Sequence, residues 1–127
     1  MKRRRWWLNL AALLLALALL SPLPASAAEV LQVREPDLLL IGDHNRTYSV
    51  RLACITPKAG QEAEAVNFLR KQLPRRQRVN LMPMGSRDGL LLARVRPLGS
   101  ELDLSTQLVD AKLASSGGEC SNRKGQA

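Results

Sequence analysis

The fold is decided by the stretch that joins a strand-rich half of the chain to its first helical pattern, Val50-Arg51-Leu52-Ala53-Cys54-Ile55-Thr56-Pro57-Lys58. Side chains alternate between the two faces of a strand, so Val50 and Leu52 are expected on one face and Arg51 on the other. The strand is predicted to continue to Ile55, where Thr-Pro ends it. Arg51 is then either an edge arginine with a packed stem and a solvated head, or a phosphate ligand.

Two further strand patterns precede this stretch. Residues 30–34 have a strand-like pattern with apolar Leu31 and Val33, residues 38–41 form a short apolar run, and the Glu-Pro-Asp at 35–37 separates them as a turn. The Gly-Asp-His-Asn at 42–45 has the composition of a hairpin loop leading into the third strand, residues 47–55. Three strands joined by such tight connections predict an antiparallel meander.

Two later segments have helical spacing. Residues 61–73 are predicted to form a helix that Pro74 stops. The apolar face of this helix consists of Ala65, Phe68, Leu69 and Leu73. A second helix is predicted from Ser105, as its N-cap, to about residue 114. Its apolar contacts come from Leu108, Val109 and Leu113.

Two more strands lie between these helices. They are predicted at residues 79–84 and 90–95, around a Gly-Ser-Arg-Asp-Gly loop, and Pro83 places the end of the first at a sheet edge. The element order is therefore β-β-β-α-β-β-α. Five short strands with a helix after the third predict a β-barrel with helices, of class α+β and of the five-stranded oligonucleotide/oligosaccharide-binding (OB-fold) type.

The N-terminus has the pattern of a secretory signal peptide. A basic start, the apolar run of residues 8–20 and a small-residue segment ending at Ala27 predict cleavage after residues 1–27, with an uncleaved anchor as the alternative. We therefore expect an exported protein, periplasmic or extracellular. Its single domain would span residues 28–116, and residues 117–127 would form a polar C-terminal tail. Removal of the signal leaves fifteen Lys+Arg against eleven Asp+Glu, a mild net charge of +4.

The chain has two cysteines, Cys54 and Cys120. In an exported domain of this size they are expected to form one disulfide, and the alternative is a buried thiol at Cys54 with a free thiol in the tail.

A cationic cluster surrounds the end of the first predicted helix: Arg70, Lys71, Arg75, Arg76 and Arg78. It is either a solvated helix end, where cations also suit the C-terminal dipole, or a docking patch for an anionic partner. The predicted mature chain keeps only Tyr48 and Phe68 as aromatic residues. A platform that stacks several bases is therefore not expected.

Three motifs resemble those of staphylococcal-nuclease-like (thermonuclease) domains. The stretch at residues 50–58 resembles Val-Arg-Leu-x-Gly-Ile-Asp-x-Pro-Glu, and the Asp-Gly-Leu-Leu-Leu-Ala at 88–93 resembles Tyr-Gly-Arg-x-Leu-Ala. The segments at 103–105 and 108–114 resemble Asp-Leu-Asn and Leu-Val-x-x-Gly-Leu-Ala. The resemblance spans nearly all of the predicted mature chain and implies an OB-fold of this type.

The resemblance also implies which chemistry is present and which is absent. In that family a calcium ion held by carboxylates, a glutamate base and two arginines cleave phosphodiesters. Arg51 takes the place of the first arginine, and Asp37 is the candidate calcium ligand. The aspartate after Ile55 is missing, Lys58 replaces the glutamate, and Leu90 replaces the second arginine. Arg87 lies three residues earlier and is a further candidate anion ligand.

Three hypotheses about function follow. The first is an exported domain with a degenerate catalytic site that binds an anionic partner, either nucleic acid or an envelope component, and needs no cofactor. Its anion ligands would be Arg51 and Arg87 with Arg75, Arg76 and Arg78. The second is a calcium-dependent nuclease with a rearranged site that uses Asp37 and Arg51, with acids such as Asp43 or Asp88 recruited from loops. The third is a structural module of the cell envelope.

Overall fold

The computed structural model describes residues 28–117 and Cys120. The predicted signal peptide, residues 1–27, lies outside the described residues, and so does the predicted tail apart from Gly117 and Cys120. Within the described part of the chain, neither helix has the length and apolar character needed to cross a bilayer.

The described residues form a β-barrel with helices. The strands are β1 (Ala28–Glu35), β2 (Leu38–Asp43), β3 (Arg46–Leu52), β4 (Ile55–Pro57), β5 (Arg78–Arg87), β6 (Leu90–Pro97) and β7 (Ala114–Ser116). The helices are α1 (Glu62–Gln72), between β4 and β5, and α2 (Leu104–Asp110), between β6 and β7.

Five strands close the barrel in the order β1-β2-β3-β6-β5. The first three pair antiparallel, which confirms the predicted meander, and β5 pairs antiparallel with both β6 and β1. The contact between β3 and β6 is parallel, with Arg51 opposite Leu92. The barrel is therefore a mixed one.

Two of the hairpins turn within two residues that both have positive φ. Asp88 and Gly89 have φ of 54° and 79°, and His44 and Asn45 have φ of 49° and 41°. Such pairs match the right-handed twist of the flanking strands. The loops predicted at residues 85–89 and 42–45 are consequently shorter than expected, because the strands continue to Arg87 and Asp43.

The barrel interior holds the apolar core, and α1 closes one side of it. Val50 and Leu52 of β3 are fully buried, as the alternation predicted. On α1, Ala65 and Leu69 are buried, Leu73 is buried just after the helix, and Phe68 packs partly buried against the same cluster. The predicted apolar face of the first helix is confirmed.

The third strand is shorter than predicted. It ends at Leu52, and Cys54 takes a positive φ of 72°, which interrupts the extended backbone before Ile55. Residues 55–57 then form β4, which pairs antiparallel with β7 as a separate two-stranded sheet. The predicted order β-β-β-α-β-β-α therefore lacks these two short strands.

The second helix also differs from the prediction. It begins at Leu104 after the N-cap residue Asp103 and ends at Asp110, and residues 114–116 are strand β7. Ser105 is not the N-cap. Its buried hydroxyl instead donates a hydrogen bond to the Ala53 carbonyl at 2.6 Å, and this bond attaches α2 to the end of β3.

Cys54 and Cys120 form a disulfide, which confirms the predicted pairing over two free thiols. Their Cα atoms are 5.0 Å apart, and 66 positions separate them in sequence. Close by, the Gly117 amide donates to the Cys54 carbonyl at 3.0 Å. The disulfide therefore attaches Cys120 to the turn that follows β3.

Candidate anion-binding site

Arg51 lies in the middle of a transverse row that crosses all five barrel strands. Strand pairing aligns Arg51 with Leu38 on one side and Leu92 on the other. The row continues from Leu38 to Glu35 on β1 and from Leu92 to Gly85 on β5. Because side chains alternate along each strand, Arg51 projects from the barrel face opposite to its buried neighbours Val50 and Leu52.

Two carboxylates bind the Arg51 guanidinium. Its Nη1 donates to Asp37 Oδ1 at 2.7 Å, and its Nη2 lies 3.5 Å from Glu35 Oε2. The side chains of Arg51 and Asp37 are only 26% and 12% exposed, while that of Glu35 is 53% exposed. The Asp37 contact is therefore the shielded one, and the Glu35 contact is open to solvent.

The electrostatics of this cluster favour the charged arginine. Burial opposes the charge on Arg51, but the hydrogen bonds and Coulomb attraction from Asp37 and Glu35 outweigh burial and raise the pKa of Arg51 above its ordinary value. An incoming phosphate would have to displace or share these carboxylates. Arg51 is therefore not a fully solvated edge arginine, and as a phosphate ligand it would act beside two carboxylates.

Asp37 was the candidate calcium ligand, and the same contact occupies one of its oxygens. Calcium takes six to eight oxygen ligands, usually including several carboxylates. Among residues 28–117 and Cys120, no group of three or more His, Cys, Asp or Glu side chains is arranged to hold a metal ion.

Thr56 lies in β4, opposite Ser115, and Lys58 follows directly after that strand. A cation at Lys58 opposes the binding of a second cation nearby.

Arg87 shares the outer barrel face with Arg51 but lies away from the Asp37 contact. It is the last residue of β5 and stands opposite Leu90, two positions along β6 from the Leu92 that aligns with Arg51. Arg87 is exposed, and in the described part of the chain its side chain makes neither an ion pair nor a hydrogen bond. The two candidate anion ligands therefore share a face without sharing a contact.

The other predicted cations surround the connection between α1 and β5. We call Arg70, Lys71, Arg75, Arg76 and Arg78 the turn cluster. All five are exposed, and within the described ranges none of their side chains has an ion-pair or hydrogen-bond partner. The Gln77 amide closes the turn on the Pro74 carbonyl at 2.9 Å, and the Gln77 carbonyl accepts a bond from the Val30 amide. The backbone that presents these cations is thus held at both ends.

Sequence reasoning missed two neighbours of the turn cluster, Arg96 and Leu98. Arg96 is aligned with Asn80 on β5, two residues beyond Arg78. The Leu98 amide donates to the Arg78 carbonyl at 3.0 Å, which places Leu98 beside the first residue of β5. Only the pairing of β5 with β6 brings them there, so a local sequence window could not have found them.

The turn cluster is separate from Arg51. Gly85, in the Arg51 row, lies seven positions along β5 from Arg78. At about 3.3 Å per residue, this corresponds to roughly 20 Å along the strand. The structure therefore offers two distinct cationic features: Arg51, bound by carboxylates, and the turn cluster, whose side chains have no partner within residues 28–117 and Cys120.

A second ion pair was also missed. Arg94 Nη1 on β6 donates to Asp103 Oδ2 at 3.0 Å, and the other oxygen of Asp103 accepts a bond from Thr106. Asp103 is the N-cap residue of α2, so the contact holds that helix against β6. We assign Arg94 a role in positioning α2 rather than in binding an anion.

Comparison with known proteins gives no match for this chain, either among protein-family models or among curated proteins.

Proposed function

We propose that this chain is an exported, catalytically inactive domain that binds an anionic partner, nucleic acid or an envelope component, through its exposed arginines. The turn cluster is the principal binding surface in this proposal, and Arg87 is a secondary contact. Arg51 contributes mainly to stability, because its charge is already balanced by carboxylates. No cofactor is required.

The proposal includes an OB-fold of the staphylococcal-nuclease-like type. Support comes from the barrel order β1-β2-β3-β6-β5 and from the position of α1 between the third and fourth barrel strands. Further support comes from the three sequence motifs, which lie on β3, on β6 and at α2. The departures of those motifs support the absence of catalysis, because the base and the second arginine are replaced by Lys58 and Leu90.

One contrast carries the proposal: Arg51 is bound at 2.7 Å by Asp37, whereas the turn cluster has no partner among the described residues. An anion binds more favourably to cations that need not first release an internal carboxylate.

The typical size of catalytic contributions favours inactivity as well. Loss of a general base typically lowers a rate by about 10²- to 10⁴-fold, and loss of one electrostatic donor by about 10²- to 10³-fold.

Salt-dependent binding tests the anion-binding part. With labelled single-stranded DNA and fluorescence anisotropy, affinity should fall steeply with salt, because phosphate contacts release counterions. The double variant Arg75→Gln/Arg78→Gln should make the slope of log K against log salt shallower by about 1.4, or about 0.7 per lost phosphate contact. Arg34→Gln/Arg46→Gln removes the same charge from exposed positions on β1 and β3 and should leave the slope nearly unchanged.

The alternative is a calcium-dependent nuclease with a rearranged site. It is favoured by one observation, namely that Asp37 and Glu35 both converge on Arg51. A DNA- and RNA-degradation assay with calcium and with chelator separates the two functions. We expect no chelator-sensitive cleavage. Cleavage that requires calcium and disappears in Arg51→Ala would establish the nuclease instead. Absence of both binding and cleavage would favour a structural module of the envelope.

A further inference from the structure

We propose that the turn cluster, together with Arg96 and Leu98, is a docking surface for an anionic lipid bilayer. The inference rests on the proposed anion-binding function and deepens it by naming the partner surface. In it, the cations contact lipid phosphates while the Leu98 side chain enters the boundary between headgroups and acyl chains.

Six cationic side chains, the five of the turn cluster and Arg96, come from the end of α1, the following turn and the adjoining ends of β5 and β6. Glu29 is the acid beside them, aligned with Arg78 across the β1–β5 pair, and it makes no ion pair with it among the described residues. The acids of α1, Glu62 and Glu64, lie in its first turn, at the other end of the helix.

The helix dipole explains only part of this cationic surface. The dipole accounts for cations in the last turn of α1, which are Arg70 and Lys71. It does not account for Arg75, Arg76 and Arg78, which lie beyond the helix, or for Arg96, which reaches the same end of the barrel from another strand.

Leu98 adds an exposed apolar residue to this surface. Its residue is 43% exposed, and its amide is bonded to the Arg78 carbonyl, so an apolar side chain stands beside the cations. Membrane-surface binding strengthens when buried apolar area is added to electrostatic attraction, whereas a phosphate polymer offers little apolar surface for a leucine. Long arginine stems can also lie along the apolar boundary while their heads stay at the phosphates.

Pro74, Arg75 and Arg76 are all exposed in the turn between α1 and β5. Among the described residues, neither aromatic side chain belongs to the surface, since Tyr48 is on β3 and Phe68 packs against the core. An exposed cationic turn without stacking groups fits a charged lipid surface better than a strand of bases.

Vesicle sedimentation tests the proposal on protein purified after export, with its N-terminal form determined by mass spectrometry and kept the same for every variant. The vesicles are phosphatidylcholine alone and phosphatidylcholine mixed with phosphatidylglycerol. We expect binding to the mixed vesicles to exceed binding to phosphatidylcholine. Arg75→Gln/Arg78→Gln should weaken binding to the mixed vesicles about 25-fold, roughly fivefold per cation, whereas Arg34→Gln/Arg46→Gln should weaken it much less.

Leu98→Ser tests the apolar contribution to binding, which a purely electrostatic contact would lack. It should weaken binding to the mixed vesicles threefold or more, by about the same factor at low and at high salt, because apolar burial is not screened. The matched control is Leu102→Ser, a leucine of 47% exposure that lies next to Asp103 rather than Arg78, and it should have little effect. Circular dichroism on each variant confirms that the barrel remains folded.

The possible outcomes distinguish the lipid inference from the anion-binding function on which it rests. DNA binding that depends on the turn cluster, without preference for the anionic vesicles, would overturn the lipid inference and leave the anion-binding function in place. Equal losses in the cluster variant and its charge-matched control would also overturn it. Failure to bind either DNA or anionic vesicles would overturn both the lipid inference and the anion-binding function.

Discussion

Arg51 and Asp37 are bound to each other on the outer face of the barrel, with Arg51 Nη1 2.7 Å from Asp37 Oδ1. The two residues are 14 positions apart, and the Leu52 amide also donates to the Asp37 carbonyl at 2.8 Å. The turn before β2 and the end of β3 are thus joined by both side chain and backbone. The residue that resembles a phosphate ligand therefore also links β3 to the turn before β2.

Removing the Asp37 charge should destabilise the protein. Asp37→Asn keeps the shape of the side chain but leaves a partly buried guanidinium without its closest counter-charge, so we expect a loss of about 1–3 kcal/mol in the free energy of unfolding. Urea denaturation measures it. The matched variant is Glu35→Gln, whose contact is longer and more exposed and should contribute less than about 0.5 kcal/mol. Equal effects of the two substitutions would contradict the assigned roles.

The hydrogen bond of the buried Ser105 hydroxyl should contribute measurably to the stability of the fold. Ser105→Ala removes the bond to the Ala53 carbonyl and leaves that buried acceptor unsatisfied, at a cost of about 1–3 kcal/mol. Thermal unfolding should show a lower Tm. The exposed Ser115 offers a control, since Ser115→Ala should change stability by less than about 0.5 kcal/mol. An unchanged Tm for Ser105→Ala would refute the role of this bond.

The disulfide should be a large stabilising contribution. Closing 66 positions of sequence is expected to stabilise the folded state by about 4 kcal/mol through the entropy of the unfolded chain. Reduction, or Cys54→Ser/Cys120→Ser, should therefore lower the denaturation midpoint strongly.

A second double variant isolates the backbone contribution at Cys54. Cys54 has a φ of 72°, which glycine adopts without penalty, so Cys54→Gly/Cys120→Ser should recover about 1 kcal/mol relative to the serine pair. If the serine pair is the more stable of the two, the positive φ at position 54 does not hold in the folded protein. Mass mapping under non-reducing conditions checks the pairing directly.

Tyr48 should ionise at higher pH in the folded protein than in the unfolded chain. Burial raises the pKa of Tyr48, and the negative charge of Asp43 raises it further. The chain has one tyrosine, so the absorbance change of phenolate formation reports this residue alone. The titration midpoint should be higher in buffer than in denaturant, and Asp43→Asn should reduce the difference without removing it.

The same pKa has a consequence for stability. The folded state holds the Tyr48 proton more tightly than the unfolded chain, so the free energy of unfolding should fall as pH rises through the ordinary range of tyrosine ionisation. Tyr48→Phe should remove that part of the alkaline dependence. Coincident titration midpoints in buffer and in denaturant would contradict the prediction.

Much of the fold was predictable because it is encoded locally. Alternation predicted the inward side chains of β3, helical spacing predicted the buried face of α1, and Asp-Gly predicted a tight hairpin. The two strands that were missed have a physical reason. Three-residue strands such as β4 and β7 carry no periodic signal of their own, and each exists only because the other lies beside it.

The candidate site was less predictable than the fold. Arg51 and the turn cluster were identified from residue type and neighbourhood, but their opposite electrostatic situations were not. Asp37 was interpreted as a candidate calcium ligand from the resemblance, which gives no indication of its contact with Arg51. Arg96 and Leu98 were missed because they reach the turn cluster through pairing between β5 and β6.

The sequence by itself determined the approximate positions of the five barrel strands and two helices and the concentration of positive charge after α1, because each depends on composition or spacing along the chain. Only the tertiary structure decided which of these cations are neutralised. That decision depends on distances between residues remote in sequence: β3 brings Arg51 to Asp37, whereas no acidic side chain is brought into an ion pair with the described turn cluster. Coulomb attraction falls with distance and with exposure to solvent, so the same residue type is a structural contact at one place and a candidate binding surface at the other.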